Sequence, residues 1–208
     1  MSSVVARHLP AAGSRVMDVG CGDGWLAGYF PQYEWHGVEP DPALRKSAMA
    51  NGVRAVSGRA EELPYPDGHF DAVCMFDVLE HLPDDGTALA EARRVLRPGG
   101  LLFASVPLHP RLWSAHDEAC GHYRRYRKGE LERAARRHGF VLAERRFFVS
   151  LFLPAAALAR AAGGGGPSRL PGFLDILAER ALSLDARLRL PFGLSEVAVF
   201  ERLDRFDR

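Results

Sequence analysis

Val16-Met17-Asp18-Val19-Gly20-Cys21-Gly22-Asp23-Gly24 is an apolar run that stops in a glycine-rich loop. The run reads as a buried strand over 14–19. Gly20, Gly22 and Gly24 allow positive φ and let a ligand approach the main chain. The helix predicted from Trp25 offers free N–H groups at its start. A second strand over 35–38 stops at Glu39, because Pro40 prevents its continuation. In a doubly wound sheet that strand tip lies beside the loop, and a carboxylate there accepts two hydrogen bonds from a ribose diol. The spacing from Asp18 to Glu39 is close to the ~20 residues expected between such a loop and its ribose acid. Taken alone, the loop also reads as a tight strand–helix turn. With Glu39 it points to an adenosine-type nucleoside bound across strand tips. A dinucleotide dehydrogenase would place a third glycine where Trp25 stands. No glycine loop is followed by Lys-Ser or Lys-Thr, which excludes a P-loop.

Outward from this loop, apolar runs alternate with amphipathic segments, which predicts an α/β protein with a mostly parallel sheet. A short helix over 4–9 precedes the first strand. A helix over 41–51 is capped by Asp41, with Pro42 in its first turn. Further strands are predicted over 53–57, 70–76, 101–106, 140–148 and 195–203, with helices over 85–96 and 130–138. Arg97-Pro98-Gly99-Gly100 reads as the stop of the 85–96 helix. Residues 107–129 and 149–193 break the alternation. They read as insertions on a single domain spanning 1–208, together forming a lid over a substrate. The second insertion is apolar, with a glycine run at 163–166. It suits a cover for a greasy acceptor or an interfacial helix touching a membrane, and equally extra core or a dimer surface.

The chain has 208 residues, enough for one domain with a sizeable core. Its formal net charge of +1 directs it to neither nucleic acid nor membrane. Cys21, Cys74 and Cys120 form no C-x-x-C pair, which argues against a zinc site or disulfide framework and fits a reducing cytoplasm. The chain's start lacks a secretory pattern, and no run approaches the ~20 apolar residues of a spanning helix. A cytoplasmic location and a monomer or homodimer are expected.

The ordered motifs resemble the class I S-adenosylmethionine-dependent methyltransferases, specifically the type 11, UbiE-like small-molecule group. The resemblance rests on residues 16–24 and on Gly37-Val38-Glu39-Pro40, Ala60-Glu61-Glu62-Leu63-Pro64 and Phe70-Asp71-Ala72-Val73. It continues through Val78-Leu79-Glu80-His81-Leu82 and Arg94-Val95-Leu96-Arg97-Pro98-Gly99-Gly100. It implies a seven-stranded, Rossmann-like, doubly wound sheet with an antiparallel last strand, in three α/β/α layers. It also implies S-adenosylmethionine as cofactor and S-adenosylhomocysteine as product. In such enzymes Asp18, Gly20, Cys21, Gly22 and Gly24 hold the methionine end. Glu39, followed by Pro40, takes the ribose hydroxyls. Ala60 and Glu61 contact adenine, and Phe76 and Asp77 close the pocket. Members often carry an acid where this chain has Arg59, and arginine cannot accept a bond from the adenine amino group. That task falls to Glu61 or main chain.

Methyl transfer from a sulfonium is an in-line displacement that needs an aligned nucleophile and a dry pocket. A base is required only for a protonated acceptor. Ligands sit outside the carboxyl ends of parallel strands, which directs attention to the insertion after the fifth strand. It resembles a subgroup of the family with a WS-x-x-D…GH-x-RRY segment. His116 and His122 are candidate bases, and Asp117 is a candidate to orient one of them or to bind a cationic substrate. Trp113, Tyr123, Arg124 and Arg125 are candidate substrate contacts, the arginines suiting an acidic acceptor. The alternative is that Asp117 pairs with Arg124 or Arg125 to fold the lid. Asp77-x-x-Glu80-His81 offers donors for a divalent ion, but Leu-Glu-His-Leu is common in members without metal, and none is expected. The basic stripe 124–146 would suit an RNA methyltransferase or simply a solvated helix face. The absence of Asn-Pro-Pro-Tyr after the fourth strand lowers the nucleic-acid reading. The expected activity is methyl transfer to a small molecule, hydrophobic or acidic. The alternatives are an RNA methyltransferase and a cofactor-binding protein without catalysis.

Overall fold

The computed structural model describes residues 2–150 and 190–204. Seven strands form one sheet in the order β3-β2-β1-β4-β5-β7-β6. They are β1 (Arg15–Val19), β2 (Glu34–Val38), β3 (Arg54–Val56), β4 (Phe70–Phe76), β5 (Leu96–Pro107), β6 (Phe140–Phe148) and β7 (Ser195–Arg202). Neighbours from β3 to β5 pair in parallel, and β7 is antiparallel to both β5 and β6. The order reverses between β1 and β4, a topological switch point where doubly wound sheets bind ligands.

Both faces of the sheet are covered, which is why its central strands are apolar runs rather than alternating ones. On one face Val73, Met75, Leu102 and Ala104 pack with Leu89 and Ala92 of α4 (Asp85–Val95) and Leu131 and Ala135 of α6 (Glu130–Arg137). On the other, Ala72, Cys74 and Phe103 pack with Val5 of α1 (Ser2–His8), Leu26 of α2 (Trp25–Tyr29) and Ala48 of α3 (Pro42–Ala50). Each fully buried Leu, Met or Phe contributes about 1.5–3 kcal/mol.

Local signals explain most element boundaries. Asp41 Oδ1 accepts from the backbone N–H groups of Ala43 and Leu44 at 2.7 and 2.9 Å, capping α3 as its sequence predicts. Gly139, with φ of 76°, ends α6. The segment Arg97-Pro98-Gly99-Gly100 differs from expectation. Leu96 already pairs with Phe70, so β5 begins before the predicted stop signal. The register then shifts between Phe70 and Ala72 as the chain turns through these glycines. In the first insertion the chain forms a 3-10 turn (Pro110–Leu112) and the short helix α5 (Ala115–Ala119). The apolar and glycine-rich features expected between 151 and 189 lie outside the described residues.

Candidate active site at the strand tips

β1 ends in the loop 20–24, and β2 delivers Glu39 beside it. Glu39 is 6% exposed. Its Oε2 accepts from Gly22 N–H at 3.0 Å and its Oε1 from Asp41 N–H at 2.9 Å. Each carboxylate oxygen therefore keeps acceptor capacity after its backbone bond. Gly22 has φ of 53°, and a Cβ there would meet nothing within 4 Å. The loop thus turns an open backbone face toward space that a ligand can enter. Gly24 is the N-cap of α2, with left-handed backbone.

Asp18, at 5% exposure, lies below the loop. Burial, and then the neighbouring Glu39 carboxylate, push its carboxyl up to about 7. No cation pairs with it among the described residues. A ligand bearing an ammonium or sulfonium would relieve this crowding of negative charge. Two oxygens suited to a diol, an open glycine backbone and an uncompensated carboxylate fit an aminoacyl-sulfonium nucleoside. Cys21 differs from the other expected contacts. Its side chain is buried against Gly37, where a Cβ would stand 2.5 Å from its sulfur. Burial, then Asp18 and Glu39, push that thiol up to about 12, so only its main chain is suited to a ligand. Pro40 is exposed beyond Glu39, and its carbonyl accepts from Arg45.

The tip of β4 is held in an uncommon conformation. Asp77 has φ of 53°. Its N–H donates to Ser105 Oγ at 2.9 Å, and that hydroxyl donates back to Asp77 Oδ1 at 2.7 Å. A two-bond clamp to β5 maintains this conformation at the ligand end of the sheet. Phe76 is half-buried and packs against the α1–α3 layer. Ala60 is buried, while Glu61 stands 3.5 Å from Arg59. Glu61 therefore has a competing partner in Arg59.

A cavity of about 360 Å³ opens beyond the tips of β4 and β5, lined by Asp77, Glu80, His116, His122, Arg125 and Val149, among others. Its order comes from Asp117, which is fully buried. Asp117 Oδ2 accepts from Ser114 N–H at 2.9 Å and from Ser114 Oγ at 3.0 Å, completing a capping box on α5. Its Oδ1 accepts from Arg125 Nε at 2.6 Å and faces His122 Nδ1 at 3.1 Å. Burial acts to raise this carboxyl, but Arg125, Ser114 and His122 outweigh it and hold the group below the usual carboxylate range.

The structure brings His116 and His122 to the cavity and sets Asp117 behind His122. Of the roles expected for Asp117, its contacts match the orienting of a histidine and the pairing with Arg125, and it does not line the cavity. Arg125 lines the cavity, yet its guanidinium is engaged by Asp117 and by the Leu108 carbonyl at 3.2 Å. Arg124 does not line the cavity. It donates to the carbonyls of Leu82 and Pro83 and lies 3.7 Å from Asp85. Trp113 and Tyr123 are exposed, and neither lines the cavity. Within the basic stripe, Arg145 pairs with Glu132 and Glu196, and Arg146 with Glu144. Those cations hold the β6–β7 edge rather than forming a free phosphate-binding face.

Glu80, which the sequence marks only as a donor for a divalent ion, also lines this cavity. It sits on the 3-10 turn Leu79–His81 and is 1% exposed. Burial pushes its carboxyl up to about 8, with its own backbone N–H opposing. The adjacent His81 titrates below the usual imidazole range because of burial and then the neighbouring His122. The acid-x-x-Glu-His spacing marked this turn, but only the fold turns Glu80 inward.

Residues 17–104 match the family model described as a methyltransferase domain. An uncharacterised methyltransferase of Mycobacterium sp. (strain KMS) is 35% identical over 138 residues, covering 64% of this chain and 54% of the relative. A ubiquinone biosynthesis O-methyltransferase of Xylella fastidiosa is 32% identical over 114 residues, covering 49% of this chain and 45% of the relative. The chain spans about half the length of these curated relatives. The crystal structure of an S-adenosylmethionine-dependent methyltransferase from Thermotoga maritima superposes with a TM-score of 0.67 at 24% identity. That match covers 96% of this chain and 86% of the other, and it speaks for the fold. In the matched segment, the sheet order and the glycine loop with its acid, the chain is similar to the class I S-adenosylmethionine-dependent methyltransferases.

Proposed function

We propose that this protein transfers a methyl group from S-adenosylmethionine to a small-molecule acceptor. The observation that carries the reading is Glu39. It is a buried carboxylate fixed by two backbone N–H groups, with acceptor capacity left on both oxygens, beside the open backbone of Gly22. Glu39, with Pro40 behind it, holds the ribose hydroxyls. Asp18 and the main chain of Gly20, Cys21, Gly22 and Gly24 hold the charged methionine end. Ala60 and Glu61 flank the adenine, and Phe76 and Asp77 close the pocket. The bound cofactor supplies an electrophilic methyl group on a sulfonium.

The acceptor enters the cavity beyond β4 and β5. His122 takes the proton of an acceptor hydroxyl or ammonium. Asp117 orients the ring through Nδ1, leaving Nε2 as the basic atom. His116, on α5 at the same cavity, is a second polar contact for the acceptor. Arg125 acts through Asp117. A cavity of about 360 Å³ suits a small acceptor better than a nucleic acid, and the internally paired arginines support the same choice.

Calorimetric titration with S-adenosylmethionine and S-adenosylhomocysteine tests the first half of the reading. Micromolar binding that collapses in Glu39→Ala is expected; binding of equal strength in that variant would overturn it. Release of S-adenosylhomocysteine over a panel of hydroxylated and amine metabolites tests the second half. Cofactor binding with no turnover on any such panel would favour a binding protein instead.

A further inference from the structure

The chain brings α4, α6 and β7 together at Leu203. The Leu203 N–H donates to the Gly139 carbonyl, just past α6, at 2.9 Å. The Leu203 carbonyl accepts from Arg93 Nη2 of α4 at 3.2 Å. A cavity of about 920 Å³ opens between the two helices, and Arg93, Arg94, Arg137 and Arg202 line it. It shares no lining residue with the acceptor cavity, and neither the glycine loop nor Glu39 reaches it.

The acids of this cavity already have partners. Asp67 and Glu91 both bond Arg94, whose guanidinium also donates to the Leu63 and Tyr65 carbonyls. Asp84 caps α4 through the Gly86 N–H and the Thr87 hydroxyl, and Asp85 accepts from the Tyr126 hydroxyl at 2.7 Å. Arg94 is therefore saturated within the fold, whereas Arg202 and Arg137 are not. Arg202 donates through Nη1 to the Leu96 carbonyl, while its Nε is buried and donates to nothing among the described residues. Burial, then the neighbouring Arg93, hold this guanidinium below its ordinary range. Arg137 stands exposed at the end of α6 and pairs with no acid among the described residues. A buried donor without an acceptor, beside a like charge, is costly, and an anion relieves both. Guanidinium forks match the oxygens of a phosphate group. The other end of the cavity differs. His138 Nδ1 donates to the Ala134 carbonyl at 2.9 Å, which leaves Nε2 as an acceptor near Asp84. Those acceptors suit hydroxyl groups.

We propose that the cavity between α4 and α6 binds a hydroxylated phosphate ester, of the sugar-phosphate class. Arg93, Arg137 and Arg202 hold its phosphate group, and Asp84 and His138 accept from its hydroxyls. The phosphate satisfies Arg202 Nε and separates the charges of Arg93 and Arg202. The site uses no residue of the methyl-transfer reading and stands apart from it.

The test is calorimetric titration of the full chain, at constant ionic strength, with inorganic phosphate, ribose 5-phosphate and ribose. Inorganic phosphate should bind at one site, ribose 5-phosphate more tightly, and ribose not measurably. Arg137→Ala and Arg202→Gln should each weaken both phosphates by at least about tenfold. Arg136→Ala, an exposed neighbour that does not line the cavity, should leave binding unchanged. Circular dichroism reports whether each variant is folded. Arg137 makes no contact that the fold needs, so its variant keeps the test open if Arg202→Gln unfolds. No saturable binding of either phosphate to the intact chain would overturn the proposal. Equal losses in Arg136→Ala and Arg137→Ala would do the same, by reducing the effect to general surface charge. Binding abolished by saturating S-adenosylhomocysteine would move the phosphate to the glycine loop and overturn it too. Ribose 5-phosphate no tighter than inorganic phosphate would assign the arginines to the free ion and overturn the part given to Asp84 and His138.

Discussion

The loop at 20–24 and the insertion at 107–129 both sit at the carboxyl ends of strands, but they are built by opposite means. The loop is held by backbone geometry: left-handed glycines, and one buried carboxylate bonded only to main-chain N–H groups. Its backbone remains open to a ligand at Gly22, and Asp18 below it is left without a counter-charge among the described residues. The insertion is held by its charged side chains. Asp117 joins α5, Arg125 and His122, while Arg124 spans to the carbonyls of Leu82 and Pro83. Polar residues that look equally suited to ligands therefore divide by what they already touch. The loop keeps its polar groups for a guest, whereas the insertion uses most of its own to hold its shape.

The largest expected effect falls on the insertion. Asp117→Ala leaves Arg125 buried without its carboxylate partner and removes the Asp117 half of the capping box on α5. It should cost about 3–5 kcal/mol of unfolding free energy by chemical denaturation. A loss near zero would mean that Asp117 is no hub, and the comparison would break there. S-adenosylhomocysteine affinity of the folded fraction should change little, since the loop is a separate construction.

A change of pH separates the regions next. The unfolded chain loses the Asp18 proton near 3.8, while the folded chain keeps it up to about 7. Unfolding therefore releases a proton across that window, and the Asp18 contribution to stability falls as pH rises through it. Asp18→Asn should flatten this slope in unfolding free energies measured between about pH 4 and 7. A cationic ligand that needs ionised Asp18 should bind roughly tenfold more tightly at pH 8 than at pH 6. Calorimetry in buffers of different ionisation enthalpy would expose the accompanying proton release. Equal affinity at both values would mean that Asp18 does not face the ligand's charge.

The smallest expected effect is at Trp113, exposed and away from the cavity. Trp113→Ala should change stability by no more than about 0.5 kcal/mol and leave cofactor affinity intact, by denaturation and calorimetry. A loss of turnover in this variant would show that the acceptor reaches farther along the insertion than the cavity lining.

These contrasts also explain how far residue order alone carries. The strand–loop–strand from Val16 to Glu39 was legible because each step follows a local rule: an apolar run, glycines that permit the turn, an acid halted by proline. The cap at Asp41 was legible for the same reason. Arg125 was not, since pairing with Asp117 and binding an acidic substrate demand the same residue type. Only the 2.6 Å contact decides what the guanidinium touches. Glu80 was hidden because no local pattern in the residue order shows that the turn after β4 buries this side chain. The helix stop was legible and α4 ends at Val95, but the early start of β5 was missed because it rests on the pairing of Leu96 with Phe70, distant in sequence.

The most direct measurement is a crystal structure with bound S-adenosylhomocysteine. The ribose hydroxyls should lie within hydrogen-bonding distance of both Glu39 oxygens. The amino group should approach Asp18, and the sulfur should face the cavity formed by Asp77, Glu80 and His122. A nucleoside bound elsewhere, or one whose sulfur points away from that cavity, would contradict the division between a cofactor loop and an acceptor-binding insertion.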